Sequence, residues 1–204
     1  MAEARRQQSE RTATTRKAVL EATLDLLVER GYAGTSTRLA ADRAGVSLGA
    51  LQHHFRTKAD LSVEALSYAS ARLAEEFVAT SKASGDVLDR FGSILDRLFE
   101  VFNGPTFVAA VEIHLASRTD TDLQAAVLTL NREVESLILG SACELLPEIS
   151  DDPEFPALIT TSVSAVRGLA LIAMTPLRKG DSEWRQVRAQ LIGLGSRIAQ
   201  PEIA

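Results

Sequence analysis

Cysteine occurs once in this chain of 204 residues, at Cys143. No intramolecular disulfide can staple the fold, and a reducing, cytoplasmic setting is expected. Histidine is nearly as scarce, with three copies, and aromatic residues make up 5%. Metal or catalytic clusters therefore have little material to draw on. No His-x-x-x-His spacing, Gly-x-Ser-x-Gly elbow or Gly-x-x-x-x-Gly-Lys loop occurs, so the expectation is a non-enzyme with no metal and no cofactor. Long apolar runs are missing too. The longest, "VSAVRGLALIAMTPL", has fifteen residues and carries Arg167, short of the roughly 20 a membrane span needs. The start, "MAEARRQQSERTATTR", is polar and lacks the apolar core of a signal peptide. No membrane partner is expected.

What is present is unevenly distributed charge and helical period. The chain carries a net charge of −5, yet residues 1–60 hold ten Lys/Arg against seven Asp/Glu, and residues 61–204 hold twelve against twenty. A basic head on an acidic body points to one local phosphate-facing patch and argues against indiscriminate polyanion binding. The six prolines separate segments of helical period, and no segment alternates as a strand would. A first helix is expected over residues 14–30, closed by Gly31 in a left-handed cap, with Val19, Leu20, Thr23, Leu24, Leu27 and Val28 on one face. Thr35 or Ser36 caps a second helix, Ser47 a very short third, and a fourth runs from about Lys58 to Ser81. Five more follow, about nine in all: an all-α fold with a helix-turn-helix head, residues 1–60, and a larger helical body for ligand binding and dimerisation, residues 61–204.

The stretch "TSTRLAADRAGVSLGALQHHF", residues 35–55, has the parts of a helix-turn-helix. Ala40, Ala41 and Ala44 let two helices approach, Gly45 supplies the turn, and Val46, Leu51 and Phe55 are apolar pins. Gly49 and Ala50 keep the outer face of the second helix low enough to lie against base edges. From Gly31 to Leu61 the run "GYAGTSTRLAADRAGVSLGALQHHFRTKADL" resembles the signature of the TetR (tetracycline-repressor-like) family, and the preceding "TRKAVLEATLDLLVERGY" is similar to that family's first helix. The matching features are Gly31-Tyr32, Thr35, Ala41, Ala44-Gly45-Val46-Ser47, Gly49, Leu51, His54-Phe55, Lys58 and Leu61. Two positions depart from the pattern: Gln52 stands where tyrosine is common, and Ala40 where a larger aliphatic is common.

The resemblance implies a homodimeric DNA-binding regulator, most often a repressor, released from a palindromic double-stranded operator by a small molecule. It also implies roles for individual residues. Thr37 matches a phosphate-contacting hydroxyl, Arg38 a position able to reach a base edge, and His54 and Lys58 the phosphate ligands. From the residues themselves, Ser47 caps the recognition helix, Leu48 and Ala50 can touch thymine methyls, and Gln52 and His53 project outward, Gln52 with adenine as its natural partner. Plainer readings stand beside these: His54 as a half-buried histidine bonded to a carbonyl, and Arg38 as a solvated surface residue. Arg5, Arg6, Arg11, Arg16 and Lys17 read either as a basic arm along DNA or as an ordinary chain end.

The body speaks less clearly. Phe91, Leu95, Leu98, Phe99, Phe102, Phe107, Val111, His114 and Leu115 are candidate pocket residues, or plain core, and their mostly aliphatic and phenylalanine character suggests a lipophilic effector. Val166, Leu169 and Ile172 on the eighth helix and Trp184, Val187, Leu191, Leu194 and Ile198 on the ninth form apolar faces suited to a dimer interface, or to capping the core. The alternative to a regulator is a helical ligand-binding or interaction module that does not act through DNA.

Overall fold

The computed structural model describes residues 2–81, 85–174 and 180–199, with side chains from residue 12 onward except those of 180–182. Among them are nine helices and no strand: α1 (Ala2–Gly34), α2 (Thr37–Ala44), α3 (Leu48–His54), α4 (Lys58–Thr80), α5 (Val87–Phe102), α6 (Pro105–Ser117), α7 (Thr121–Leu145), α8 (Phe155–Ala173) and α9 (Gly180–Ala199).

Local chemistry sets the boundaries. α1 breaks at Gly31, whose φ of 66° and ψ of 177° lie where essentially only glycine goes. Ser36, not Thr35, caps α2 by accepting the Leu39 N–H at 3.2 Å, whereas Thr35 is buried and donates to the Gly31 carbonyl at 2.9 Å. Gly45 ends α2 with φ 68° and ψ 30°, its N–H returning to the Ala41 and Asp42 carbonyls, as a left-handed cap should. Ser47 accepts the Ala50 N–H at 3.1 Å and starts α3. Thr57 and Asp60 cap α4 reciprocally, Thr57 N–H donating to Asp60 at 3.2 Å and Asp60 N–H to Thr57 at 3.0 Å.

The chain divides into two compact units that do not break at residue 60. One comprises residues up to 71 and 105–134, the other 72–104 and those from 135 on. The reason lies in the first unit's two apolar clusters. Val19, Leu20, Leu26, Ala40, Ala41, Leu51, Phe55, Leu61 and Ala65 join α1 to α4. Leu27 and Leu66 pack instead with Ala109, Ile113, Leu123, Val127 and Leu130, so α6 and the first part of α7 fold with the head. At ~1.5–3 kcal/mol for each fully buried aliphatic or phenyl side chain, neither cluster is a small term. α4 and α7 each run from one unit into the other.

The second unit is built around Phe91, Leu95, Phe155, Leu158, Val163 and Leu191. Of the residues expected at a dimer interface, Val166, Leu191 and Ile198 are buried within the single chain, at 0%, 3% and 9% exposure. Trp184 is half-buried and engaged there as well, its ring stacked on Phe99 at 4.6 Å and its indole N–H donating to Asp96 at 3.1 Å. An apolar stripe on a helix records what is covered, not what covers it. Leu169, Val187 and Leu194 are half-buried, while Ile172 is exposed. α8 is long and apolar enough by composition to cross a membrane, longer than the fifteen-residue run suggested, because residues 155–162 extend it. Its Phe155, Leu158, Ile159, Ser162, Val163, Val166 and Ala170 are buried against other helices, as in a core helix.

Gly31 and Gly45 should respond differently to substitution. Gly45→Ala meets open space and is expected to cost about 1–2 kcal/mol for its left-handed backbone, with Gly45→Asn recovering part of that. Gly31→Ala should cost more, on the order of 2–4 kcal/mol with the lost hydrogen bond included, because its Cβ would lie 2.5 Å from the Glu112 carboxylate that accepts the Tyr32 N–H. Gly31→Asn should not recover it. Urea denaturation checks both, and equal costs at the two sites would show that Glu112 yields freely.

Candidate nucleic-acid interface

A helix of seven residues cannot hold itself in water, so α3 depends on what pins it. Leu51 and Phe55 do so, at 0% and 3% exposure within the α1–α4 cluster. Because they occupy one side, Leu48, Gly49, Ala50, Gln52 and His53 are all turned to solvent, and a Cβ at Gly49 would meet nothing within 4 Å. The outer face thus carries one amide, one imidazole and small or aliphatic groups, with no carboxylate to repel DNA. Of the residues singled out, Thr37 opens α2 half-buried beside exposed Arg38, and Ser47 is exposed at the start of α3.

The adjacent histidines separate. His53 is exposed and His54 half-buried, their rings meeting edge to face at 5.5 Å, and the His54 ring stands 6.1 Å from that of Phe55. His54 is thereby held against an anchor while His53 stays outside.

Lys58 is placed by a partner that spacing along the chain does not announce. Its ammonium lies 4.0 Å from the centroid of the Tyr32 ring, a cation–π contact, just past the α1 kink. Burial lowers the Lys58 pKa from its ordinary value, and the Asp120 carboxylate partly opposes this. Burial likewise raises that of the Tyr32 phenol, with Asp120 adding to the rise. No carboxylate makes an ion pair with Lys58 among the described residues. Its charge is positioned and only partly balanced.

The backbone is helical from Ala2, and the side chains of Arg5, Arg6 and Arg11 lie outside the described residues. Arg16 pairs with Glu64 on α4, its guanidinium lying 5.8 Å from the Phe55 ring centroid. Lys17 pairs along the helix with Glu21 at 3.9 Å. Arg43, at the end of α2, holds Glu29 of α1 at 2.6 Å. These pairs brace the head, each surface-exposed and contributing modestly.

The expected pocket residues fall in both units. Phe91 and Leu95 are core side chains at 1% exposure, and Leu98, Phe99 and Phe102 are half-buried beside them on α5. On α6, Phe107 and Val111 are half-buried and His114 is exposed. His114 has Nδ1 2.7 Å from the Ala110 carbonyl and Nε2 2.8 Å from Asn131 Oδ1. Leu115 is 63% exposed. Burial on the far side of a helix is invisible to composition alone. Tyr32 and Glu112 are the contributors that sequence reading missed as partners, being 80 positions apart.

Residues 19–65 match the sequence profile described as bacterial regulatory proteins, tetR family. An HTH-type transcriptional regulator of Mycobacterium tuberculosis is 30% identical over 173 residues, covering 83% of this chain and 87% of its own length. The HTH-type transcriptional regulator CymR of Pseudomonas putida is 31% identical, with 92% of each chain covered. The crystal structure of multidrug binding protein EbrR complexed with imidazole superposes with a TM-score of 0.62 at 25% identity, covering 88% of this chain and 93% of that one. With its pinned recognition helix, its capped turn and near full-length kinship to such proteins, the chain belongs to the tetR family of helix-turn-helix transcriptional regulators.

Proposed function

We propose that the protein is a repressor that binds a palindromic operator as a homodimer in the cytoplasm and is released by a small lipophilic effector held in its helical body. The observation that carries this reading is the outward face of α3, with Gln52 and His53 free to meet base edges while Leu51 and Phe55 hold the helix from behind. Thr37, His54 and Lys58 flank it as phosphate contacts, and Arg38, Leu48, Ala50 and Gln52 supply base contacts. The multidrug-binding neighbour supports a ligand in the body. α4 starts beside the DNA-facing surface and continues into the second unit. It is the covalent link through which an effector favours one spacing of the two recognition helices over another.

For the homodimer, α8 offers an outward stripe: Thr160, Thr161, Ser164, Gly168, Leu171 and Ile172 are exposed, Leu171 and Ile172 at 50% and 48%. This face replaces Val166 and Leu191 as the proposed contact, with half-buried Leu169 at its edge.

Lys58 gives the reading a pH signature. Its pKa is lowered by burial in the free protein, whereas a DNA phosphate favours the charged form. Binding therefore takes up a proton as pH approaches the Lys58 pKa, and affinity falls as pH rises through it. Operator affinity should drop at alkaline pH, beginning below the ordinary lysine value of 10.5, and the drop should be absent in Lys58→Arg. A parallel drop in that variant would assign it to another group.

DNA from around its own gene is the first substrate for gel-shift titration. Lys58→Ala should weaken binding to all sequences and lower the salt slope by about one. Gln52→Ala should change preference at particular base pairs, by ~1–3 kcal/mol. The absence of any salt-sensitive, sequence-selective binding would leave a helical module not acting through DNA. Replacing Leu171 and Ile172 by glutamate should give monomers with lost operator affinity in sedimentation and gel-shift measurements. An intact dimer would remove the α8 face.

A further inference from the structure

Tyr32 is held from several directions within the first unit. Its N–H donates to the Glu112 carboxylate of α6 at 3.2 Å, and its carbonyl accepts the Thr35 N–H at 3.2 Å. The buried Thr35 donates its hydroxyl to the Gly31 carbonyl at 2.9 Å. The Tyr32 ring packs against the cluster of Leu27, Leu66, Ala109 and Ile113. Gly31 is shaped to this arrangement, since a Cβ there would lie 2.5 Å from Glu112. The end of α1 is thus fastened to α6.

Lys58 takes its place from that fastened ring. Thr57 and Asp60 fix the backbone at the start of α4, but a lysine side chain on a fixed backbone still samples many rotamers. Its ammonium lies 4.0 Å from the Tyr32 centroid, and no carboxylate pairs with it among the described residues. A side chain ordered before association loses less freedom when it meets its partner. Glu112 carries the sign that a DNA-binding surface disfavours. Its place beneath the Tyr32 N–H gives it a geometric role that its charge alone conceals.

We propose that Glu112 and Tyr32 are positioning residues for DNA binding: the carboxylate on α6 fixes the end of α1, the Tyr32 ring holds the Lys58 ammonium, and the lysine meets the phosphate already ordered. This rests on the reading of Lys58 as a phosphate contact and names the residues, up to 80 positions apart, that prepare it.

The test uses the full-length protein, the duplex that wild type selects from a random library, and a scrambled duplex of the same length. Tyr32→Phe, which keeps the ring, should bind as wild type does. Tyr32→Leu, which keeps apolar bulk without the ring, should bind both duplexes roughly two- to tenfold more weakly, the range expected for ordering one long side chain. Glu112→Ala should also weaken binding, although it removes a negative charge, whereas Glu112→Gln, which retains an acceptor oxygen, should not. In a Lys58→Ala background, neither Tyr32→Leu nor Glu112→Ala should weaken binding further.

A second readout needs no DNA. The chain has four lysines, so isotope-labelled lysine gives few signals, and Lys58→Arg assigns the one of interest. Its ε-methylene protons, shielded by the ring beneath, should resonate upfield of the others, return to their range in Tyr32→Leu and move part of the way in Glu112→Ala. Circular dichroism and thermal midpoints verify that each variant is folded, and the two Tyr32 variants decide the matter if Glu112→Ala is not. The proposal is overturned if Tyr32→Leu binds as wild type does, if a folded Glu112→Ala binds as tightly as wild type or tighter, if either loss persists undiminished without Lys58, or if the wild-type signal is unshifted. Wild type that selects no duplex refutes the regulator reading, whereas selective binding with additive losses refutes only the positioning roles.

Discussion

The DNA-binding reading depends on two buried side chains behind a very short helix. Leu51 and Phe55 fix both the existence and the orientation of α3, because seven residues cannot supply enough hydrogen bonds to offset the nucleation cost of a helix. With those two anchored, the pitch of the helix turns Gln52 and His53 outward. Ser47 at one end and the Phe55 N–H bond to the Leu51 carbonyl at the other define where the helix begins and stops. In the proposed reading, specificity is carried by exposed side chains, Gln52 and His53, and the hold on the helix by buried ones, Leu51 and Phe55.

The same division holds for charge. Three cations of the head are paired within the protein: Arg16 with Glu64, Lys17 with Glu21, Arg43 with Glu29. Such pairs position helices while removing those cations from competition for phosphate. Lys58, held over Tyr32 instead of over a carboxylate, keeps its charge available. An aromatic ring orients an ammonium without neutralising it, so the contact that places Lys58 leaves it able to meet a phosphate. The α1 kink belongs to this arrangement, since Gly31 lets the chain turn so that the Tyr32 N–H reaches Glu112 and its ring lies beneath Lys58.

Much of this head was legible in the sequence because its code is local. Ser36, Gly45 and Ser47 act within three or four residues of themselves, and the spacing of Leu51 and Phe55 states which side of α3 is buried. Three things were not legible. The Lys58–Tyr32 and Tyr32–Glu112 contacts join positions distant in the chain, and neither residue type announces its partner. Val166, Leu191 and Ile198 carry the same apolar pattern whether a neighbouring helix or a second copy covers them, and here the single chain already buries them. The compact units divide away from residue 60 because Leu27 and Leu66 pack on α6 and α7, a choice made by tertiary fit and not by periodicity.

Sequence-selective recognition by α3 is the central claim, and selection of duplexes from a random library by the full-length protein tests it most directly, with wild type and Gln52→Ala compared at two salt concentrations. The predicted result is an enriched inverted repeat whose affinity falls steeply with salt and whose preferred bases change in the variant. Enrichment of no repeat, or of the same bases by both proteins, would contradict it.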